Sequence, residues 1–403
     1  MSQIFRGASI TLFSSGIFFA VNFISSVILN PTIYGELSAA INTITLIGLI
    51  ISSGISFYIV SIGSKESLKG AFNFSFKFFA ATCLFTLISL CIYRLMSNGE
   101  SVETVLYAFP AAASIGLCLV MVGYFQLSEN YAFSAAMSSI PNIIKSFVLL
   151  YMLVPIFWVI DSAYTYTLIG TLLHLSCLGA LIFVVFRHKD KNPSRKLHHN
   201  APLAAKFVFS NFVVSAYSSM VVPIVYLTYG ADHSAVFSIF FIFWSLLNIV
   251  TGYLYGNHYL IKLKLIYTNN ENSKLFFYKT IKIGACISFL ITIPSIAVFK
   301  FGSFYFWSEY AAYETIIIFL LLTLGFRSIS AAAGLFLSLG DWVKWKNIAQ
   351  CIFVLILYFP IASGENFDFF VAAYCLAELI LMIIYISIAY IRVQTPIRQE
   401  KMQ

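Results

Sequence analysis

Twelve runs of roughly 20 mainly apolar residues, separated by short charged or turn-forming stretches, constrain this chain more than any other feature. They cover 8–29, 38–62, 75–95, 105–127, 132–154, 162–186, 207–229, 235–256, 281–300, 313–338, 348–363 and 368–391. A helix of that length matches the hydrocarbon thickness of a bilayer, whereas a soluble helix of the same length needs a continuous polar face. Composition agrees, since 60% of the 403 residues are hydrophobic, 10% are charged and the mean hydropathy is +0.89. A soluble domain carries roughly 25% charged residues. Disorder, a coiled coil and a nucleic-acid-binding domain are excluded on this ground. The seven cysteines, none in a CxxC pair and all in apolar stretches, present neither a disulfide framework nor a zinc site and read as packing residues.

The first run lacks a small-residue cleavage site before Asn30-Pro31, so it reads as a retained signal-anchor helix. Pro110, Pro141, Pro223 and Pro294 fall inside runs, where kinks are expected and where a membrane helix tolerates them. With the N-terminus in the cytoplasm, 20 of the 24 basic residues fall on the inner side and nine of the 16 acids on the outer side. This asymmetry predicts an N-in, C-in topology and explains the +8 net charge as a positive-inside signal rather than a nucleic-acid footprint. Trp158 and Trp307 are expected at outer span ends and Trp342 and Trp345 at an inner one, as an aromatic belt.

The polar stretch Arg187-His188-Lys189-Asp190-Lys191-Asn192-Pro193-Ser194-Arg195-Lys196 divides the runs into six and six. A lobe over 1–200 and a second over 201–403 follow, each with a basic cytoplasmic segment. The openings Tyr34-Gly35-Glu36-Leu37-Ser38 and Ser234-Ala235-Val236-Phe237-Ser238 echo one another. An even number of helices per half makes such a repeat parallel. The predicted fold class is an all-α polytopic membrane protein, with about 12 transmembrane helices in two six-helix lobes around a central cavity.

Four ionisable residues fall near the middle of runs: Lys145, His174, Arg327 and Glu378. A charge there costs about 2.5–3.5 kcal/mol on insertion scales, so it is expected to face a cavity or a partner. Glu378 pairing with Arg327 or Lys145 to hold helices together is one reading. In the other, Arg327 and Lys145 bind an anionic substrate, Arg as a fork and Lys as a point charge, and Glu378 and His174 carry coupling ions. No GxxxxGK[ST], HExxH or GxSxG pattern and no loop Asp-x-Asp is present, so no nucleotide, metal or hydrolytic site is expected and the chain does not read as an enzyme. No cofactor is expected, and a proton or sodium gradient is the expected driving force.

The stretch from Gly7-Ala8-Ser9-Ile10 through Asn30-Pro31-Thr32-Ile33-Tyr34-Gly35-Glu36 to Ser53-Gly54-Ile55 resembles the opening of bacterial polysaccharide repeat-unit flippases. These form the Wzx group, in the superfamily that also holds multidrug exporters and lipid II flippases. Gly123-Tyr124-Phe125-Gln126-Leu127-Ser128-Glu129-Asn130-Tyr131, Ala331-Ala332-Ala333-Gly334-Leu335 and Gly340-Asp341 are similar to that group too. The resemblance implies a two-lobed carrier that moves undecaprenyl-pyrophosphate-linked oligosaccharide, an O-antigen or capsule unit of lipopolysaccharide or polysaccharide biosynthesis, to the periplasmic leaflet of a bacterial inner membrane. It implies a cationic cavity, which Lys145 and Arg327 fit. The partners implied are the lipid-linked oligosaccharide, inner-membrane lipids, a polysaccharide polymerase and a chain-length regulator. The first two runs carry no arginine, unlike the lipid II branch, and no acid lies between Met1 and Asn30, unlike many multidrug exporters. The competing readings are a cation or drug exporter, for which Glu378 is essential, and a membrane polysaccharide polymerase, which needs a larger outer loop.

Overall fold

The computed structural model describes residues 2–52, 54–62, 68–96, 100–128, 130–153, 162–187, 205–206, 208–210, 212–213, 218–259, 262–263, 266, 273–338 and 342–394. Among them the regular structure is entirely helical. The helices are α1 (Ser2–Ile28), α2 (Pro31–Ser52), α3 (Ile55–Ile62), α4 (Leu68–Met96), α5 (Glu100–Leu127), α6 (Tyr131–Met152) and α7 (Ser162–Arg187). They continue as α8 (Val221–Tyr229), α9 (Ala231–Thr251), α10 (Ser273–Tyr305), α11 (Glu314–Leu337), α12 (Val343–Ala362) and α13 (Phe367–Gln394). A π-helical segment, Gly252–Tyr259, extends α9, and a 3₁₀ segment, Ser308–Tyr313, leads into α11.

Ten helical segments among the described residues are long and apolar enough to cross a membrane, so the chain is a multi-pass membrane protein. The expected run at 207–229 is described at 208–210, 212–213 and 218–229, where the last nine residues form α8 with Pro223 in its first turn; the expected lobe boundary at 200/201, Trp158 and Gly340-Asp341 lie outside the described residues. The run at 38–62 is two helices rather than one. Gly54 takes a left-handed φ of 65°, which ends the helical ladder and restarts it one residue on. Pro110, Pro141 and Pro294 sit inside continuous helical spans, and Pro360 adds a fourth.

Buried hydroxyls fold back on their own helices, which is how polar side chains survive in an apolar solvent. Ser25 donates to the Val21 carbonyl at 2.8 Å, Thr280 to Phe276 at 2.7 Å and Thr251 to Leu247 at 2.9 Å. Helix starts are built from sequence in the ordinary way. Asn30 accepts the Ile33 N–H at 2.8 Å with Pro31 at the first helical position, and Asn366 accepts the Phe369 N–H at 2.9 Å.

The chain divides into two compact units, Met1–Ala235 and Val236–Gln403. In the first, α5 packs against α2, α4, α6 and α7, and α1 lies along α6. The α2–α5 seam is close because glycines face each other across it. A Cβ on Gly48 would stand 2.8 Å from Ile115 Cγ2, and one on Gly116 would stand 2.8 Å from Ile51 Cγ2. Where α2 begins, Thr32 Oγ1 donates to Asp232 at 2.8 Å and Ser234 Oγ donates to the Gly35 carbonyl at 3.2 Å. The two echoing openings of the sequence therefore touch, and Gly35 has no room for a side chain against the Ala231 carbonyl.

In the second unit α11 packs between α10 and α13, and α12 packs on α13. Trp307 departs from the expected belt position. It is 1% exposed and stacks on Phe299 at 5.6 Å, because Gly302 leaves a slot that its indole fills. Trp345, in contrast, is exposed. The cysteines also divide: Cys118 is buried, whereas Cys91 and Cys286 lie on exposed helix faces, so not all of them serve packing. At the end of α11, Arg392 donates to the Phe336 carbonyl and lies over the Trp342 ring, and Lys346 Nζ donates to Ser338 Oγ at 3.1 Å. Cations at a helix C-terminus meet its unpaired carbonyls and the negative end of its dipole.

Candidate functional site

All four midspan ionisable residues are buried: Lys145 at 8% exposure, His174 at 3%, Arg327 at 9% and Glu378 at 0%. Lys145 and His174 lie in the first unit, Arg327 and Glu378 in the second.

In the first unit Lys145 stands on α6 one turn after Pro141, with its ammonium 5.8 Å from the centre of the Phe18 ring on α1. His174 stands on α7, which packs against α6. The His174 Nδ1 lies 2.7 Å from the Gly170 carbonyl. A carbonyl only accepts, so Nδ1 carries the ring proton and Nε2 is left as the lone-pair nitrogen. That Nε2 is buried and has no hydrogen-bond partner among the described residues. Ser114 on α5 donates to the His174 backbone carbonyl at 2.8 Å and to Pro110 at 2.9 Å, fixing α7 against α5. No carboxylate among the described residues pairs with Lys145. The sequence shows why, since no acid lies in the interior of any run before residue 230.

In the second unit Tyr374 and Glu378 are one turn apart on α13 and share a face, which α11 covers with Arg327. Arg327 Nη1 donates to Tyr374 Oη at 3.1 Å and approaches Glu378 Oε1 at 3.1 Å. Neither Glu378 oxygen makes an aligned hydrogen bond among the described residues, so the ion pair is held by charge rather than by direction. The guanidinium carbon lies 4.7 Å above the Trp244 ring on α9. Tyr374 is fully buried among aromatic rings, with Phe237 at 5.5 Å, Phe240 at 5.7 Å and Phe353 at 6.1 Å.

The sequence reading brought Arg327 and Glu378 together as one of its alternatives, and the pair is there. It missed Trp244 and Tyr374. Trp244 carried a legible signal, being the one tryptophan in the middle of a run and so far from any belt. Tyr374, four residues before the one midspan acid, sits at helical contact spacing from it. Among the described residues no three His, Cys, Asp or Glu side chains converge as a metal site.

Three crystal structures of a MATE protein superpose along nearly the whole chain. The complex with MaD5 has a TM-score of 0.60 at 13% identity, covering 97% of this chain and 95% of that one. The complex with MaD3S gives 0.56 at 14% identity with the same coverage, and that with MaL6 gives 0.53 at 16%, covering 97% and 96%. The chain has the fold of these MATE structures. At such identities the likeness is one of backbone, and the side chains of the two clusters have to be read on their own chemistry. No protein-family model matches the sequence, and no curated protein matches it.

Proposed function

We propose that the chain is a transporter, not an enzyme, and that it flips an anionic lipid-linked oligosaccharide, an undecaprenyl-pyrophosphate-linked O-antigen or capsule repeat unit, across a bacterial inner membrane. One observation carries this reading: Lys145 is a buried cation inside a membrane-spanning helix, paired with no acid among the described residues. A charge in that position is costly unless a ligand of opposite sign completes it. A pyrophosphate supplies that sign, and Lys145 and Arg327 are the two cations assigned to substrate binding. The MATE fold supports a carrier, the oligosaccharide resemblance of the sequence supports the substrate class, and a proton or sodium gradient supplies the energy. A polysaccharide polymerase and a chain-length regulator are the partners that would receive the exported unit.

Deleting the gene should leave lipid-linked repeat units accumulating on the inner leaflet while surface polysaccharide disappears. Complementation with Lys145→Ala or Arg327→Ala at normal expression should fail to restore it. Full restoration by both variants refutes the assignment. Loss of polymer length with single units still exported would indicate a polymerase instead.

A second reading, export of small cations or drugs, draws on Glu378 as the one acid inside a run interior. Its carboxylate is already engaged by Arg327, so an incoming cation would have to displace a guanidinium. Drug-susceptibility profiles of a Glu378→Gln strain separate the two readings.

A further inference from the structure

We infer that a polar furrow between α1 and α6 binds the sugar adjoining the pyrophosphate of the substrate, with the Asn142 amide as its main contact. The inference rests on the anionic lipid-linked substrate proposed above and adds where the glycan lies. It starts from a break in the burial pattern of α6. Phe133, Phe147 and Leu150 are exposed and mark the lipid face of that helix. On the opposite, packed half, Ser134, Pro141, Ile144, Ser146 and Leu149 are buried. Past the first turn, the half-exposed residues of that half are Ser138 and Asn142, one turn apart near its centre. Polar side chains that are open while the residues on both sides of them are buried face a gap inside the protein rather than lipid. Lys145 follows Asn142 by three residues on the same face, so the open stretch leads to the buried ammonium.

The wall facing this gap is α1, which runs parallel to α6 in close contact. Two contacts fix the register: Gly7 lies against the Tyr131 carbonyl and Ala135, and the Lys145 ammonium stands 5.8 Å from the centre of the Phe18 ring. The part of α1 between these points is therefore level with Ser138 and Asn142. Its seam residues Gly7, Ser14 and Val21 are buried. Thr11 and Ser15, seven and three residues before Phe18, share the side of α1 that Phe18 turns to Lys145, and they are exposed and half-buried.

The hydrogen-bonding capacity of this lining suits a polyol. Thr11 Oγ1 donates to the Gly7 carbonyl at 3.1 Å and Ser138 Oγ donates to the Ala135 carbonyl at 2.9 Å, which leaves both oxygens able to accept. The Ser15 hydroxyl and the Asn142 amide make no hydrogen bond among the described residues, so both can donate and accept. Neither α1 nor α6 has an acidic residue in its sequence, and neither offers a cation a partner here. An isoprenoid chain would leave the amide unpaired, at the cost of a buried polar group. A neutral group rich in hydroxyls satisfies it, and the seven residues from Ser138 to Lys145 rise about 10 Å, so such a group can lie along α6 while its phosphate meets the ammonium.

The test has two arms. In the first, the full chain in membranes is treated with a charged methanethiosulfonate reagent, and mass spectrometry places the label. Asn142→Cys and Ser15→Cys should be labelled at the introduced position, and Phe147→Cys, on the lipid face of α6, should not. Absence of label at position 142 overturns the furrow. The second arm reads surface polysaccharide in a strain lacking the gene, beside binding by the purified chain of farnesyl pyrophosphate, a probe that carries no sugar. Asn142→Leu should lower surface polysaccharide about tenfold or more, because the sugar loses its polar partner. The same variant should bind farnesyl pyrophosphate within about twofold of the wild type, and Asn142→Gln, which keeps an amide, should retain most of the export. Full surface polysaccharide from Asn142→Leu overturns the sugar contact and leaves the anionic-substrate reading standing. Loss of farnesyl pyrophosphate binding in Asn142→Leu also overturns it, since Asn142 would then act through Lys145 or through the fold. Absence of saturable farnesyl pyrophosphate binding by the wild type overturns the anionic-substrate reading and the inference that rests on it.

Discussion

Lys145 in the first unit and Arg327 in the second are both buried cations on membrane-spanning helices, yet a carboxylate, a phenol and an indole surround Arg327, while Lys145 has a phenyl ring and, among the described residues, no acid. Among the described residues, the second arrangement leaves a positive charge without an acid and the first does not. Burial alone therefore does not identify a ligand contact. A compensated cation is a joint between helices that a ligand has to break open, and an uncompensated one is a place where the protein lacks half of an ion pair.

Substitutions should separate the two clusters by what they do to stability. The largest effect is expected for Glu378→Ala, which strands Arg327 in the interior and should cost about 3–5 kcal/mol, read as a lowered unfolding midpoint of the detergent-solubilised protein. The double variant Arg327→Met, Glu378→Leu should recover most of that loss, because it removes both charges together. If the single variant unfolds at the wild-type temperature, Arg327 and Glu378 are not the joint described.

Trp244→Leu comes next, at about 2 kcal/mol for a desolvated cation–π contact, measured in the same way. Its effect should vanish in an Arg327→Met background, since a double-mutant cycle isolates the pair. Tyr374→Phe removes one hydrogen bond of the cluster and should cost about 0.6 kcal/mol, the average for interhelical bonds in a membrane protein, and no more than about 1.7.

The smallest stability change is expected for Lys145→Met. Among the described residues it makes no ion pair and its ammonium lies over the Phe18 ring, so stability should fall by less than about 1 kcal/mol or rise. Pyrophosphate binding and surface polysaccharide should nevertheless be lost. A variant that is both unstable and inactive would place Lys145 in the same structural class as Arg327 and remove the contrast.

Some of this contrast is legible before any folding. The acids of the first half all lie outside run interiors and Glu378 is the single midspan acid, so counting shows that two midspan cations have one midspan acid between them. Which cation Glu378 meets does not follow, because Lys145 and Arg327 are both far from it along the chain and only helix packing brings α11 over α13. The Trp307 expectation failed for a related reason. A tryptophan at a span end fits a lipid interface by composition, but the empty side of Gly302, five residues earlier, offers it a buried slot in the same unit. The split of 38–62 at Gly54 was hidden because hydropathy is blind to the sign of φ.

By itself the sequence determines that the solvent is lipid, where most of the helices run, and that four ionisable groups lie in the middle of apolar runs at a cost. These are sums over local properties, and lipid enforces them on any arrangement of the helices. Only the tertiary structure decides that Arg327 is boxed by Glu378, Tyr374 and Trp244, that His174 turns one nitrogen to Gly170 and leaves the other without a partner among the described residues, and that Lys145 lies over the Phe18 ring. Those pairings depend on which helix faces meet, and an apolar helix in lipid has few sequence marks to say which face is inside.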